Sequence, residues 1–276
     1  MSPHDPRARS TERLVFIGGG NMAGAILGGL LGAGCAPEGI VVVEPYPPQA
    51  ALVREKFGVR VEAAGGPALA GAGTVVWAVK PQVFPEAAPP CAAFVRDALQ
   101  VSVMAGVRSA AIAAATGSER VARTMPNTPA LIGQGIAGLY ARPAVTAADR
   151  TTVEALLAPT GQTLWVEDEA DLDAITALSG SGPAYVFYFI EAMMQAAADM
   201  GLAPSQGRRL ALATFRGATA LAESSDEPPQ ALRARVTSKG GTTHAAITTM
   251  DSLGVKDGIV QALRAAQARA RELGEG

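Results

Sequence analysis

Histidine and cysteine are scarce in this chain, which has two of each, and aromatic residues make up only 5% of it. Cys35 and Cys91 stand among apolar residues without the spacing of metal ligands, so neither a metal site nor a disulfide framework is expected. We interpret both as free, buried thiols of a protein in the reducing cytoplasm, and neither as a nucleophile.

An excess of positive charge is also missing, since 23 Lys and Arg residues face 25 Asp and Glu residues and no basic run occurs. A nucleic acid is therefore not the expected ligand. Residues 14–37 carry no charge and could span a bilayer by length, but eight of them are glycine. Three consecutive glycines would break a membrane helix, so no membrane partner is expected. The polar first dozen residues predict a frayed tail rather than a signal peptide.

What the chain does contain is a glycine-rich turn near its N-terminus. The apolar residues 14–17 lead into the run GGGNMA at residues 18–23. Gly18, Gly20 and Ala23 match the dinucleotide-binding pattern G-x-G-x-x-G/A, in which they make the turn, admit a pyrophosphate and let the helix pack on the strand. A second strand is predicted at residues 40–43, and it ends at Glu44, where an acid that binds ribose is expected.

Short β-branched runs alternate with Ala-rich stretches up to residue 166, which is typical of a doubly wound parallel sheet covered on both faces. Further strands are predicted at residues 74–79, 100–104 and 120–123. In such sheets the ligand lies beyond the carboxyl ends of the strands. The turns at 80–82, 105–107 and 124–129 are therefore expected to ring a cofactor.

Residues 167–276 are predicted to be almost entirely helical, with helices at 184–200, 204–222 and 255–273. The first of these is apolar nearly all round. Such a helix must be surrounded by protein, and a domain of this size has too few other helices to cover it, so a second subunit is implied.

The segment VTSKGGTTHAAI at residues 236–247 places hydroxyl groups and paired glycines before a helix. Backbone N–H groups freed by Gly240 and Gly241, together with the helix dipole, favour a small anion such as a carboxylate. The same pattern is typical of a capped helix start, and the residues alone leave both interpretations open.

With these segments placed, residues 13–273 resemble the pyrroline-5-carboxylate reductase family. Six blocks carry the resemblance: FIGGGNMA at 16–23, AVKP at 78–81, MAGV at 104–107, MPNTPA at 125–130, LSGSGPAY at 178–185 and GGTT at 240–243. The resemblance implies an α/β fold with a Rossmann-type domain at 13–166, followed by an all-α dimerisation and substrate-binding domain at 167–276. It also implies homodimers that gather into a larger ring.

The activity implied by the resemblance is hydride transfer from NADPH or NADH to the C=N bond of 1-pyrroline-5-carboxylate, which gives L-proline. Cofactor contacts are then expected at Gly18, Gly20, Asn21, Met22 and Ala23, at Ala78, Val79, Lys80 and Pro81, and at Ala105 and Gly106. Substrate contacts are expected at Ser238, Gly240, Gly241, Thr242 and Thr243, with Asn127 and Ser181 lining the same cavity. Thr243 is the residue expected to hydrogen-bond the ring nitrogen.

Several of these residues keep a second interpretation. Lys80 is either a cofactor ligand or a solvated lysine, and Asn127 either lines the cavity or closes a turn between two prolines. Ser181 either lines the cavity or caps the helix that follows. Glu44 favours the free ribose of NADH over the 2′-phosphate of NADPH, but an arginine such as Arg54 could still reach that phosphate, so cofactor choice stays open.

Two departures from the family pattern stand in the substrate segment, where Lys239 replaces the usual proline and Ala234 replaces a common acid. A β-hydroxyacid dehydrogenase is the first alternative class, and it would need a lysine on the helix at 184–200, which has none. A non-catalytic dinucleotide-binding regulator is the second, and it would not need the substrate segment. His244 is expected at the surface or in packing rather than as a proton donor.

Overall fold

The computed structural model describes residues 13–275, so the tail predicted for the first dozen residues lies outside them. The described chain forms two compact units, one of residues 13–181 with 266–275 and one of residues 182–265. The predicted domain limits, 13–166 and 167–276, stay a prediction.

The first unit is built on one eight-stranded sheet with the order β3-β2-β1-β4-β5-β6-β7-β8. The strands are β1 Arg13–Ile17, β2 Ile40–Val43, β3 Arg60–Glu62, β4 Ala72–Trp77, β5 Leu99–Ser102, β6 Val121–Met125, β7 Gly135–Ala141 and β8 Gly161–Trp165. Neighbouring strands are parallel from β3 to β6. The order reverses direction between β1 and β4, which is where doubly wound sheets bind ligands. The predicted fold class is confirmed.

Helices cover the sheet and then form the rest of the chain. Around the sheet lie α1 Asn21–Gly32, α2 Pro47–Phe57, α3 Phe84–Ala87, α4 Pro89–Val95, α5 Ser109–Thr116, α6 Ala147–Leu157 and α7 Asp171–Ile175. They are followed by α8 Gly182–Asp199, α9 Pro204–Glu223, α10 Pro229–Arg235, α11 Thr242–Ser252 and α12 Val255–Glu275.

Side chains of the central strands alternate between two cores, as the two-residue period of a strand requires. Phe16 packs in the core beneath α1, α2 and α6, whereas Val15 and Ile17 pack in the core beneath α3, α4 and α5. Cys91 belongs to the second core and is buried as predicted. The prediction for Cys35 is wrong, because it lies in the exposed turn after α1.

The far edge of the sheet departs from the parallel pattern. Strand β7 is antiparallel to β6, and β8 is parallel to β7, so β8 ends at the edge opposite the carboxyl ends of β1–β6. Helix α7 then crosses back over β7, where Gly138 leaves room for Leu172 and Ile175. A Cβ on Gly138 would lie 2.5 Å from Ile175 Cδ1. The chain thereby returns to the end of the sheet where β1–β6 finish.

The second unit is helical, as predicted. Helices α8 and α9 pack closely where Gly207 faces Ala197. A Cβ built on Gly207 would lie 2.9 Å from the Ala197 Cβ, so the absence of a side chain makes room for this contact. Helix α8 buries none of its residues within the described chain, and Phe187 and Tyr188 are 58% and 72% exposed. Within residues 13–275 no helix combines the length and apolar character needed to cross a bilayer.

We expect the exposed apolar face of α8 to be covered by a second copy of this chain, because exposed apolar patches of this kind mark protein interfaces. Light scattering at micromolar concentration should give the mass of two chains. Tyr188→Glu should shift the protein towards a monomer or towards aggregation. Gln195→Glu adds the same charge at an exposed polar position of α8 and should leave the dimer intact. A stable wild-type monomer would contradict the interface.

Candidate functional site

The glycine turn after β1 is pressed between two neighbouring strands. Gly18 has a positive φ of 101°, and its N–H donates to the Val43 carbonyl at 2.8 Å. A Cβ on Gly18 would lie 2.6 Å from the Ala78 carbonyl oxygen. Only glycine combines this backbone conformation with this approach, so the first residue of the predicted pattern is explained by the fold.

The start of α1 has the features of a phosphate site. Gly20 is the N-cap residue, and among the described residues no side chain caps this helix. No described atom lies within 4 Å of a Cβ built on Gly20, so the backbone is open to approach there. Ala23 is fully buried and seats the helix on the sheet. Free N–H groups and the positive end of the dipole suit a pyrophosphate, so these residues fit a dinucleotide.

Glu44 lies at the position predicted to bind the ribose. Its carboxylate also stabilises the glycine turn. Its carboxylate accepts hydrogen bonds from the N–H groups of Gly19 at 2.9 Å and Tyr46 at 3.0 Å. The Gln49 amide donates to the Gly19 carbonyl at 2.6 Å. The negative charge of Glu44 is therefore fixed beside the turn. Arg54 donates to the Val61 carbonyl instead of reaching towards this position.

The turns after β4 and β5 contribute the next predicted residues. Ala78 continues β4 by donating to the Ile17 carbonyl at 2.8 Å, and Lys80 is exposed before a short helical turn at Pro81–Val83. Gly106 has a positive φ of 75°, and a Cβ there would lie 2.8 Å from the Leu273 carbonyl oxygen. The end of α12 thus lies against the second turn.

The turn after β6 is tied to the helical segment that follows α7. Asn127 is buried, donates to the Ser179 carbonyl at 3.1 Å and accepts from the Ile136 N–H at 3.1 Å. Ser179 belongs to a π-helix, Thr176–Gly180, and a Cβ on Gly180 would lie 2.8 Å from Met125 Cε. Such π-turns are frequent at functional sites. This turn brings Ser181 next to the carboxyl end of β6.

Two serines of this segment make hydrogen bonds back to the turns that precede them. The Ser179 hydroxyl donates to the Ile175 carbonyl at 3.1 Å, and the Ser181 N–H donates to the Thr176 carbonyl at 2.9 Å. The backbone at Ser181 has right-handed helical angles, with φ −84° and ψ −16°, directly after the π-helix. Both interpretations of Ser181, in the cavity or as a cap, stay predictions.

A buried charge cluster, formed by Arg108, Ser109, Arg123, Glu169 and Asp173, lies in the same unit. Glu169 accepts from the Ser109 N–H at 2.6 Å, the Ser109 hydroxyl at 2.7 Å and Arg123 at 2.8 Å. Arg108 pairs with Asp173 at 2.7 Å. Burial works against ionisation of Glu169, but the bonds from Ser109 and Arg123 outweigh it and hold the pKa of Glu169 below its usual 4.5.

The predicted substrate segment lies in the second unit. Gly240 has a positive φ of 77°, and the Gly241 N–H closes the turn on the Ser238 carbonyl at 3.0 Å. Gly241 is the N-cap of α11, so Thr242 and Thr243 occupy its first turn, where N–H groups lack acceptors inside the helix. The left-handed position is Gly240 and not residue 239, so the exposed Lys239 is compatible with the turn.

The structure therefore gathers most of the predicted residues in one unit. Gly18 to Ala23, Glu44, Ala78 to Pro81, Ala105, Gly106, Asn127 and Ser181 lie at or after the carboxyl ends of β1, β2, β4, β5 and β6, or in the π-helix segment beside them. Ser238, Gly240, Gly241, Thr242 and Thr243 lie in the other unit. His244 is exposed on α11, as expected.

Sequence reasoning missed the buried charge cluster and Gln49. The side chains of Arg123 and Glu169 meet although they lie 46 residues apart, and no local pattern marks that pairing. The acids Glu169 and Asp173, four residues apart in the sequence, are the one signal. Acids at such a spacing are common on solvated helix faces, so the signal is weak.

A doubly wound sheet with an open glycine turn at its reversal point defines a Rossmann-type dinucleotide-binding protein with an added helical unit. The family model for pyrroline-5-carboxylate reductase dimerisation matches residues 169–273, and the model for NADP oxidoreductase, coenzyme F420-dependent, matches residues 13–106.

Curated relatives cover nearly the whole length of this chain. Pyrroline-5-carboxylate reductase of Pseudomonas aeruginosa is 42% identical over 268 residues, which is 96% of this chain and 98% of that protein. The Haemophilus influenzae enzyme of that name is 40% identical, over 94% of this chain and 97% of its own. The solved structure from Coxiella burnetii has a TM-score of 0.88 at 34% identity, covering 96% and 99% of the two chains. The chain belongs to the pyrroline-5-carboxylate reductase family.

Glu44 is predicted to select between the two nicotinamide cofactors, because its fixed charge would repel a 2′-phosphate. Glu44→Ser should raise the ratio of kcat/KM for NADPH to that for NADH by about tenfold, since a partly screened charge pair contributes on the order of 1.4 kcal/mol. Both cofactors should also bind less tightly, because Gly19 loses its brace. Glu62→Ser removes a charge from the neighbouring strand and should leave the ratio unchanged. An unchanged ratio in Glu44→Ser would exclude Glu44 as the selector.

Glu169 should also make the stability of the fold depend on pH. Its pKa is lowered in the folded chain, where Ser109 and Arg123 donate to it, so its contribution is complete above about pH 4.5 and is lost as the pH falls through the lowered pKa. At pH 7, Glu169→Gln should destabilise the protein by about 1.5–3 kcal/mol, a difference that shrinks on acidification. Melting temperatures measured at fixed protein concentration test this. Glu119→Gln, in an exposed pair with Arg142, is the control and should change little.

Proposed function

We propose that this chain reduces the C=N bond of 1-pyrroline-5-carboxylate to L-proline with NADPH or NADH as hydride donor, as a cytoplasmic enzyme of proline biosynthesis. The observation that carries the proposal is the 42% identity to the Pseudomonas enzyme over nearly the full length of both chains. A relative from Plasmodium falciparum, with a TM-score of 0.86 at 26% identity, has NADP bound in its solved structure.

The N-terminal turn is the proposed pyrophosphate site. Gly18, Gly20, Asn21, Met22 and Ala23 present the start of α1, and its geometry fits an anion. When bound, the nicotinamide supplies the hydride. Ala78, Val79, Lys80 and Pro81 would lie alongside the ribose and nicotinamide, and Ala105 and Gly106 near the nicotinamide. The role of the chain at these positions is to hold the cofactor by its backbone rather than to react.

The proposed substrate residues are Ser238, Gly240, Gly241, Thr242 and Thr243, with Asn127 and Ser181. Unpaired N–H groups in the first turn of α11 suit the substrate carboxylate, and the Thr243 hydroxyl would hydrogen-bond the ring nitrogen. Asn127 has an additional role, since its amide already joins the turn after β6 to Ser179.

The proposed reaction does not need a catalytic triad. A protonated imine accepts hydride without a protein nucleophile, so the main task is to orient the imine carbon towards the donor. Orientation of this kind is worth up to about 7–11 kcal/mol of the barrier. A carboxylate handle held by backbone N–H groups accomplishes this without a titrating side chain.

The proposed assembly is a homodimer through the helical unit, with dimers gathered into a ring. The match to a dimerisation family over residues 169–273 and the uncovered apolar residues of α8 support the dimer. The ring is proposed from the family resemblance alone.

The experiment that tests this function follows the loss of NADH or NADPH absorbance with 1-pyrroline-5-carboxylate, in wild type and in Thr243→Val. Wild type should turn over, and the variant should lose about 10²–10³ in kcat, as is typical when one donor is removed from an enclosed site. Cofactor affinity should change less than about threefold, or roughly 0.65 kcal/mol. Gly241 and not Thr243 is the N-cap of α11, so little stability should be lost.

Thr249→Val is the matched control, because Thr249 lies on the same helix and is exposed. Its turnover should equal that of wild type. Normal turnover in Thr243→Val would remove Thr243 from the active site. An inactive wild type with both cofactors would reject the proposed reaction as a whole.

A further inference from the structure

The buried charge cluster of Arg108, Ser109, Arg123, Glu169 and Asp173 joins two segments that flank the proposed cofactor site. One segment is residues 105–109, which comprise the last part of the loop after β5 and Ser109, the first residue of α5. The other is the stretch of residues 169–181 that contains α7 and the π-helix. Glu169 and Asp173 contribute one carboxylate each, and the loop contributes Ser109 and Arg108 as their partners.

Both carboxylates are engaged by donors of neighbouring segments. Glu169 accepts three hydrogen bonds, two from Ser109 and one from Arg123. Asp173 is only 4% exposed and accepts from Arg108. Their geometry suits a mechanical role, in which the loop is held at two adjacent residues.

The cluster is not explained by stability alone. Arg123 is 4% exposed in the middle of β6, and its Nε has no hydrogen-bond partner among the described residues. Buried ion pairs are often no more stabilising than apolar side chains of similar volume, and an unpartnered polar atom adds a cost. An arrangement with this cost suggests that it fixes the position of something.

The loop has a conformation that needs such support. Gly106 takes the left-handed backbone conformation and lies against Leu273, so the loop is held by α12 on one side and by the two carboxylates on the other. Arg108 also lies close to Gly274, where a Cβ would be 2.7 Å from Arg108 Nε. Releasing one side would let residues 105–107 move.

We propose that Glu169 and Asp173 are positioning residues that hold the segment of residues 105–109 in the place from which it orients the nicotinamide. This inference rests on the proposed function, in which Ala105 and Gly106 lie beside that ring. Through Asn127 and Ser179, the same stretch is also tied to the turn after β6. The two carboxylates thereby fix the position of the loop relative to the π-helix.

The test compares Glu169→Gln and Asp173→Asn with Asp149→Asn. Asp149 is a matched control, because it is buried, pairs with Arg120 at 2.6 Å and caps α6 away from this loop. We measure kcat, KM for each substrate, the dissociation constant of NADH and NADPH, and the melting temperature. The two loop variants should lose about tenfold to hundredfold in kcat/KM, because a misplacement near 1 Å costs up to that factor. They should also bind the preferred cofactor at least about threefold less tightly.

Asp149→Asn should lower the melting temperature but keep kcat/KM and cofactor affinity. If the loop variants keep wild-type kcat/KM and affinity well below their melting temperatures, the cluster is only structural and the proposal is overturned. Should both variants fail to fold, Ser109→Ala removes one hydrogen bond from Glu169 and decides by the same two readouts. A wild type inactive towards 1-pyrroline-5-carboxylate would reject the proposed reaction, while cofactor affinity would still test the positioning role.

Discussion

The backbone of Gly18 lies between two strands, with its N–H bonded to Val43 on β2 and its Cα facing the Ala78 carbonyl just beyond β4. These two contacts bring the backbone of the glycine turn close to both neighbouring strands at the point where the strand order reverses. The start of α1, the turn after β4 and the carboxylate of Glu44 all take their positions from these contacts. A larger residue would separate the strands, so one steric limit governs the whole carboxyl edge of the sheet.

Charge in this molecule is used mainly to hold segments in place. Glu44 braces the glycine turn through Gly19, and Glu169 braces the loop after β5 through Ser109. In both cases a carboxylate accepts bonds from backbone N–H groups near the end of a strand. This arrangement agrees with a reaction in which the hydride comes from the cofactor and the protein contributes orientation.

The parts of the fold that could be predicted from sequence are those with local causes. Strands β1 and β2 and the turn at Gly18 follow from short apolar runs and a glycine spacing within one strand and one helix. Strand β7 was not predicted, because its sequence GIAGLYA has little β-branched character, and its reversed direction depends on pairing with β6. The role of Asn127 depends on Ser179, which is 52 residues away. Contacts across such separations leave no periodic signal.

Helix α8 exposes apolar residues that no part of the described chain covers, and this has a consequence for how the protein reaches its working form. Until a newly made chain meets another copy, this apolar surface stays exposed to water. It can then associate non-specifically with other exposed apolar surfaces. Burial of that surface is then a bimolecular event, so the yield of folded protein should depend on the concentration at which chains are produced. For this family member, assembly belongs to the folding reaction itself.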